Sequence, residues 1–360
     1  MSTVTALVSR SAIADNYRQM KKLAPKSKVL AVLKANAYGH GAVAMARELM
    51  RVNVDGLGVA RLEEALELRA AGITSPILLL EGFAEQSDIT RLITYQLETV
   101  IHSLEQITML EQCQQQGRLK VWLKIDTGMN RLGLNSSEVV QAYQRLNQLE
   151  IVETPVNFMS HFACADELDN DFTARQIQAF FELVKEYDGQ LSIANSAAIL
   201  AWPDTHLDWV RTGISLYGCS AIEGKTGADF GLRPVMTLQT KVIAIKSITQ
   251  GQYVGYGSTW QAKTDGKLAV IAVGYGDGYP RHAKTGTPVL INGKRYPIVG
   301  RVSMDMITVD LGQTSQVSCG DVVTLWGQGL PAEEIARWSD TISYEIMIKL
   351  THRVEILFED

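Results

Sequence analysis

Apolar runs alternate with helix-patterned segments through the first two-thirds of this chain, and that alternation constrains the fold more than any other feature. The runs lie near Lys28–Leu33, Gly56–Val59, Pro76–Leu80, Leu97–Ile101, Lys120–Ile125, Val156–Ser160, Leu191–Ala194 and Trp209–Val210. Continuous apolar runs of this length suit strands buried on both faces. Helical periodicity is clearest over Ala42–Met50, Arg61–Ala70, Leu104–Gln116, Glu138–Leu149 and Phe172–Glu186. Asn135-Ser136-Ser137-Glu138 offers side-chain acceptors for a helix start. Eight strands, each followed by a helix or turn, predict an α/β fold, a (β/α)8 TIM-type barrel. A doubly wound sheet more often carries a glycine-rich turn after its first strand. Here Lys34-Ala35-Asn36 stands in that place.

The pattern changes after Gly218. Residues 219–231 are polar and glycine-rich, and short strands follow at Val235–Ile245, Leu268–Val273, Pro288–Ile291, Tyr296–Val299, Met306–Asp310 and Asp321–Trp326. Asn292-Gly293 and Cys319-Gly320-Asp321 mark turns, and short helices are expected at Pro331–Trp338 and Tyr344–Thr351. The expected division is a barrel over 1–222 and a mostly β C-terminal domain over 223–360. Met1–Arg10 is a candidate for pairing with that second domain.

Composition narrows the partners. The chain has 360 residues, 46 % hydrophobic and 20 % charged, with a formal net charge of -5. It has no long basic run, which argues against nucleic acid and anionic membrane as partners. No stretch is apolar enough to span a bilayer. Met1-Ser2-Thr3 leads into fold-like sequence without a signal pattern, and Cys113, Cys164, Cys219 and Cys319 form no paired spacing. A cytoplasmic protein with free thiols is therefore expected. The six histidines show no metal-ligand pattern, so no metal is expected.

In a barrel, functional side chains gather just beyond the strand ends. Strand one ends at Lys34, with Tyr38 close behind. Strand five ends in Lys124-Ile125-Asp126-Thr127-Gly128, followed by Met129-Asn130-Arg131. Strand six ends in Ser160-His161, strand seven in Ala194-Asn195-Ser196, and strand eight in Arg211-Thr212-Gly213-Ile214. A desolvated strand-end lysine tends to lose its proton, as bonding to a carbonyl cofactor requires. Alone, such a lysine reads more readily as one that snorkels to water; the rest of the chain reverses that reading. Loops after strands seven and eight of such barrels often bind phosphate. Ser196 can donate a hydroxyl there, and Gly213 admits close backbone approach. A closed barrel sets strand eight beside strand one, so lysine and phosphate cradle together point to pyridoxal 5'-phosphate.

Six blocks carry a closer resemblance. They are Val32-Leu33-Lys34-Ala35-Asn36-Ala37-Tyr38-Gly39-His40-Gly41, Lys124-Ile125-Asp126-Thr127-Gly128-Met129-Asn130-Arg131-Leu132-Gly133, Arg211-Thr212-Gly213-Ile214-Ser215-Leu216-Tyr217-Gly218, Val254-Gly255-Tyr256-Gly257-Ser258-Thr259-Trp260, Val273-Gly274-Tyr275-Gly276-Asp277-Gly278-Tyr279-Pro280 and Gly300-Arg301-Val302-Ser303-Met304-Asp305-Met306. In this order the chain resembles the alanine racemases, pyridoxal-phosphate isomerases with a barrel and a β domain.

The resemblance implies L-alanine and D-alanine interconversion by two bases acting on a substrate Schiff base, for peptidoglycan precursor supply or D-alanine catabolism. Lys34 would hold the cofactor and handle the D-alanine proton, and Tyr256 the L-alanine proton. Tyr38, Ser196, Gly213, Ile214 and Tyr344 would form the phosphate group, with Asn195 adjacent. Arg211 would face the pyridine nitrogen, supported by His161. Arg131 would meet the substrate carboxylate. Lys124 resembles a lysine often carbamylated in the family; its other reading is an ordinary paired lysine. Tyr256, Tyr275, Met304 and Asp305 would complete the other subunit's site in a head-to-tail homodimer. The competing readings are a broader-specificity amino-acid racemase, a related decarboxylase, or a cofactor carrier without turnover. Arg211 argues against the decarboxylase, and the β domain bearing Tyr256 argues against the carrier.

Overall fold

The computed structural model describes residues 4–360, so Met1, Ser2 and Thr3 of the expected N-terminal pairing segment lie outside the described residues. Strand β1 (Thr5–Ser9) comes first, followed by helix Arg10–Leu23, whose start is capped where Ser9 Oγ accepts the Ala12 N–H at 3.2 Å. The barrel strands are β2 (Lys28–Val32), β3 (Gly56–Val59), β4 (Ile77–Leu79), β5 (Glu98–Ile101), β6 (Val121–Lys124), β7 (Asn157–Met159), β8 (Leu191–Ser192) and β9 (Trp209–Thr212). They are parallel and pair in sequence order from β2 to β8, while β9 returns to pair with β2. The β8–β9 seam is linked by Arg211 N–H donating to Ala194 O at 3.0 Å and by Ser192 Oγ donating to Trp209 O at 2.9 Å. A nearly closed barrel results, and the doubly wound alternative is excluded.

Side chains facing outward from the strands, such as Val29, Ala31, Leu57, Val59, Ile77 and Leu79, join the helices in one continuous core. The inward side chains Leu30, Leu78, Val100, Trp122, Met159 and Trp209 form a separate plug. Leu30 and Trp209 fit because β3 is glycine-rich: a Cβ on Gly56 would lie 3.1 Å from Leu30 and 3.2 Å from Trp209. Trp122 meets Trp209 edge to face at 6.2 Å between ring centroids, a favourable aromatic geometry. Glu98 accepts from Trp122 Nε1 at 2.9 Å and from Lys120 Nζ at 3.0 Å. The N-terminal end of the barrel is thus filled, leaving the C-terminal mouth for a site.

The rest of the chain is mostly β. Strands β10 (Met236–Ile248), β11 (Tyr253–Val254), β12 (Trp260–Gln261), β13 (Gly266–Ile271), β14 (Pro288–Ile291), β15 (Lys294–Pro297), β16 (Ile307–Gly312), β17 (Val322–Trp326) and β18 (Glu355–Glu359) follow. The long β10 pairs with β1, β13 and β17, and β1 also pairs with β18 in parallel. Asn292 and Gly293, at φ 50° and 75°, make the tight turn of the β14–β15 hairpin. Among the described residues, no helix is long and apolar enough to cross a membrane.

Several boundaries differ from the periodicity. Strand β9 extends the apolar run Trp209–Val210 through Arg211 and Thr212, which pair with Leu30 and Ala31. The helix expected to Gln116 ends at Glu111, and Gly117 lies at φ 139°. Helix Val139–Asn147 starts at Glu138 without a side-chain cap; Glu138 instead accepts the Asn135 N–H at 2.9 Å. Helices Arg10–Leu23 and Gln86–Thr94, and strands β11, β12 and β18, lie outside the expected set.

Buried Asn16 fastens helix Arg10–Leu23 to the connection leaving the barrel. Its Nδ2 donates to Leu216 O at 3.0 Å and Arg233 O at 2.8 Å, and its Oδ1 accepts the Arg233 N–H at 2.8 Å. Asn16→Ala leaves these backbone groups unsatisfied and should cost about 2–3 kcal/mol. Urea unfolding should show a lower midpoint at unchanged slope; an unchanged midpoint would refute the fastening role.

Candidate active site

The C-terminal mouth of the barrel opens into a cleft of about 1260 Å³. Lys34, Tyr38, Lys124, Arg131, His161, Asn195, Ser196, Arg211, Gly213 and Tyr344 all line it. Ile214 lies directly behind, fully buried at the start of the turn Ile214–Tyr217.

Lys34 follows directly after Leu33, which continues β2 beyond its last paired residue, Val32. The next four residues are not glycine, yet Ala35, Asn36, Ala37 and Tyr38 have φ of 52°, 54°, 52° and 53°. That is a left-handed turn, costing roughly 1–2 kcal/mol per residue. Specific bonds hold it. The Ala35 N–H donates to Glu64 Oε1 at 2.6 Å, and Ala37 N–H to Leu33 O at 2.8 Å. Asn36 Oδ1 accepts the Ala42 N–H at 2.8 Å. The turn aims Lys34 into the open mouth, so in the single chain its side chain is accessible rather than sealed as a buried strand-end lysine would be. Partial dehydration by the cleft walls, and then the nearby Arg131 charge, lower its pKa from the ordinary lysine value; Glu81 and Glu64 oppose this.

Arg211 is buried at the base of the cleft and held by neutral acceptors. Its Nη1 donates to Ser192 Oγ at 2.7 Å, and its Nη2 to Ser160 O at 2.7 Å. Nη2 also donates to His161 Nδ1 at 3.0 Å. A guanidinium only donates, so His161 Nδ1 is the acceptor and its proton sits on Nε2. His161 is therefore neutral, in line with burial and then the Arg211 charge holding its pKa well below the ordinary histidine value. Burial pulls Arg211 down to about 10, which leaves it charged at neutral pH.

Lys124 ends β6 beside them. Among the described residues nothing hydrogen-bonds or ion-pairs with its amine. Burial first, then Arg211, Arg131 and Lys34, lower it to about 8. Arg131 comes from the loop after β6, shaped by Asp126 Oδ1 accepting from Gly128 N–H at 2.8 Å and Asn130 N–H at 3.1 Å.

On the opposite wall, hydroxyls converge. Ser196 Oγ accepts the Gly213 N–H at 2.8 Å. A Cβ on Gly213 would lie 2.6 Å from the Tyr38 hydroxyl and 3.9 Å from Ser196 Oγ, so only glycine fits. The Tyr38 and Tyr344 rings stand 5.8 Å apart. Asn195 Oδ1 is committed to capping, accepting the Ala198 N–H at 3.0 Å. Burial pushes the Tyr38 and Tyr344 phenols up, so both are hydroxyl donors at neutral pH.

The remaining expected site residues lie outside this cleft. Tyr256 is 71 % exposed, and Tyr275 and Met304 are exposed as well. Tyr275 and Met304 are joined by Gly276 N–H donating to Met304 O at 2.8 Å and Tyr275 N–H to Ser303 O at 3.1 Å. Asp305 accepts from Arg353 Nη2 at 2.8 Å.

Comparison with known proteins matches both parts of the chain. The alanine racemase N-terminal domain family matches residues 8–221, and the alanine racemase C-terminal domain family matches residues 235–358. The chain belongs to the alanine racemase family. It is 50 % identical over 361 residues to the biosynthetic alanine racemase of Escherichia coli O6:H1, covering 100 % of both chains. It is 48 % identical to the alanine racemase of Vibrio cholerae over 358 residues, 99 % of each chain. The crystal structure of biosynthetic alanine racemase from Pseudomonas aeruginosa superposes with a TM-score of 0.96 at 42 % identity, covering 100 % of both chains.

For this member of the alanine racemase family, the structure adds residues not expected from the sequence. Ser192 and the Ser160 carbonyl seat Arg211, and Glu64 anchors the Lys34 turn. Ser192 had one visible signal, a hydroxyl inside an apolar strand. Glu64 had none, because it acts across 29 residues of sequence.

An amine titrating near 8 is an ammonium below that pH and a free amine above it. Lys124 in cofactor-free protein should therefore acylate with a rate that rises through pH 8, well before exposed lysines. Peptide mapping of a trace-labelling series would read this, and a midpoint near 10.5 would contradict it.

Proposed function

We propose that this chain interconverts L-alanine and D-alanine, with pyridoxal phosphate held on Lys34 and a second base, Tyr256, supplied by a partner copy. The observation that carries the reading is the convergence of Lys34, Arg211 and the Tyr38–Ser196–Gly213 cradle on one barrel mouth. The residues fit the cofactor: the absence of a Cβ at Gly213 lets the Tyr38 hydroxyl approach its backbone beside Ser196 Oγ, and such hydroxyls suit a phosphate. When bound, pyridoxal phosphate would supply the electron withdrawal that acidifies the substrate Cα–H.

The chain's own groups do the rest. Lys34, with a lowered pKa, can take a proton at Cα on one face or return it. Tyr256 would do the same on the other face. Arg211 would donate to the pyridine nitrogen and keep its own proton, limiting electron withdrawal and the side reactions that follow from it. Neutral His161 and Ser192 hold its plane. Arg131 would receive the substrate carboxylate. Lys124, a buried amine near three other cations, suits carboxylation by carbon dioxide, in which the nitrogen bonds to carbon and releases one proton. The resulting carbamate would accept from Arg131. The head-to-tail homodimer is proposed because Tyr256, Tyr275 and Met304 stand exposed outside their own chain's cleft. The proposed role is D-alanine supply in the cytoplasm, in keeping with relatives described as biosynthetic.

Purified protein with pyridoxal phosphate should convert L-alanine to a racemic mixture, turn over L-serine slowly, and release no carbon dioxide from L-lysine. Borohydride should fix the cofactor to the Lys34 peptide, and Lys34→Ala should lower the rate by about 10²–10⁴-fold or more. Cofactor fixed to another lysine, or lysine decarboxylation, would sink the reading.

A shared site makes a separate prediction. Lys34→Ala and Tyr256→Phe should each be nearly inactive alone. After subunit exchange, a heterodimer has one site with both defects and one with neither. Activity should then return towards half of wild type per heterodimer. Exchange confirmed with differently tagged chains, but without recovery, would refute the two-chain site.

A further inference from the structure

We infer that His40 is a positioning residue, whose ring locks the left-handed turn that presents Lys34 and Tyr38 to the same cleft; this rests on the reading of Lys34 as the cofactor lysine. His40 does not line the cleft, and it is fully buried. Its Nδ1 lies 3.0 Å from Ala37 O and 2.9 Å from Tyr38 O. Both partners are carbonyls, so Nδ1 must carry the hydrogen and donate to the pair. Nε2 is then a bare acceptor, and it has no partner among the described residues. A buried nitrogen without a partner is costly, so packing alone would be served better by an apolar side chain. The Nδ1–H explains why an imidazole stands there.

Those two carbonyls close the left-handed segment. Glu64 secures its first amide, at Ala35. Asn36 secures the start of the helix that follows, through the Ala42 N–H. His40 secures the carbonyl end. The ring also sits 4.6 Å from the Tyr217 ring, which stands 4.7 Å from the Tyr38 ring. Tyr217 donates to Val32 O at 2.8 Å, tying the stack back to the strand that delivers Lys34. Without the Nδ1–H, the Tyr38 carbonyl loses this donor and the Ala37 carbonyl is left with backbone N–H donors alone, so the carbonyl end of the turn is held less firmly. Relaxation there would draw the Tyr38 hydroxyl away from Gly213 and re-aim Lys34. Burial holds the ring near a pKa of about 4, so His40 is neutral at neutral pH.

The test compares wild type, His40→Asn and His40→Gln, each stripped of cofactor and titrated with pyridoxal phosphate by fluorescence. The Asn amide can occupy the Nδ1 position, whereas the Gln amide reaches only the Nε2 position. His40→Asn should bind within about threefold of wild type, and His40→Gln about tenfold or more weakly, the scale of one lost buried hydrogen bond. Borohydride fixation at Lys34 should fall in step, and kcat should fall with little change in KM. A purely structural role would lower the melting point of both cofactor-free variants and leave cofactor affinity alone; that result overturns the inference. Equal loss in both variants also overturns it. If His40→Gln does not fold, His40→Asn decides: wild-type affinity supports the donor role, and weakened affinity rejects it. Wild type that binds pyridoxal phosphate elsewhere than Lys34 would instead refute the functional reading, and this inference with it.

Discussion

A buried guanidinium without a carboxylate governs this site. Arg211 lies at the base of the cleft with Ser192, the Ser160 carbonyl and His161 as its acceptors, all of them neutral. A dehydrated charge held only by dipoles leaves a net positive potential around it. Its effects reach each neighbour. His161 is confined to one neutral tautomer, and the Arg211 charge adds to burial, the larger cause, in lowering Lys124 to about 8. Arg131 adds positive charge nearby and, after dehydration, lowers Lys34 against the pull of Glu81 and Glu64. Arg211, Arg131, Lys124 and Lys34 thus gather positive charge at one side of the mouth, offset in part by Glu81 and Glu64 near Lys34. A phosphate, a substrate carboxylate and a carbamate on Lys124 would each supply negative charge there.

The barrel fixes where that charge can sit. Trp122, Trp209 and Glu98 fill the N-terminal end, so the polar residues must lie above the plug. Glycines at 56 and 58 in β3 provide the room for Leu30 and Trp209. The β8–β9 seam then seats Arg211 through bonds from its own backbone and side chain. Closure of the barrel and placement of the guanidinium are thus the same event. A change that opened the seam would disturb the site before it disturbed the outer helices.

Much of this was legible in the residues, for a physical reason. Inward and outward faces of a parallel barrel are both apolar, so the runs stand out and their order follows from chain order. Legibility failed where polar residues enter a strand. The last apolar run stops at Val210 because Arg211 breaks the pattern, although Arg211 and Thr212 still pair with β2. Helix Gln86–Thr94 carries a weak signal because its start, Glu85-Gln86-Ser87-Asp88, resembles a loop. At the site, strand-end residues could be named one by one. Their supports could not: Glu64 reaches Ala35 across a neighbouring βα unit, and the positive φ of Ala35 and Ala37 has no signal in residues that normally favour right-handed helices.

The proposed division of labour between barrel and β domain is in keeping with the same geometry. Inverting a carbon centre with two bases needs proton donors on opposite faces of one plane. A single barrel mouth presents its strand ends from below and around, and its walls here are committed to Lys34, Arg211 and the hydroxyl cradle. The opposing face must be brought by something outside the barrel. Within this chain the β domain holds Tyr256 on a short glycine-bounded turn, 71 % exposed and away from the cleft. Tyr275 and Met304 are fastened together by backbone bonds and are exposed in the same way. Large apolar and phenolic side chains held rigidly at a surface are typical of groups that become buried on association. A second copy placed head to tail would cover them and close the cleft in one step. The base on the far face would then also be a lid, which excludes water from the carbon whose configuration is at stake.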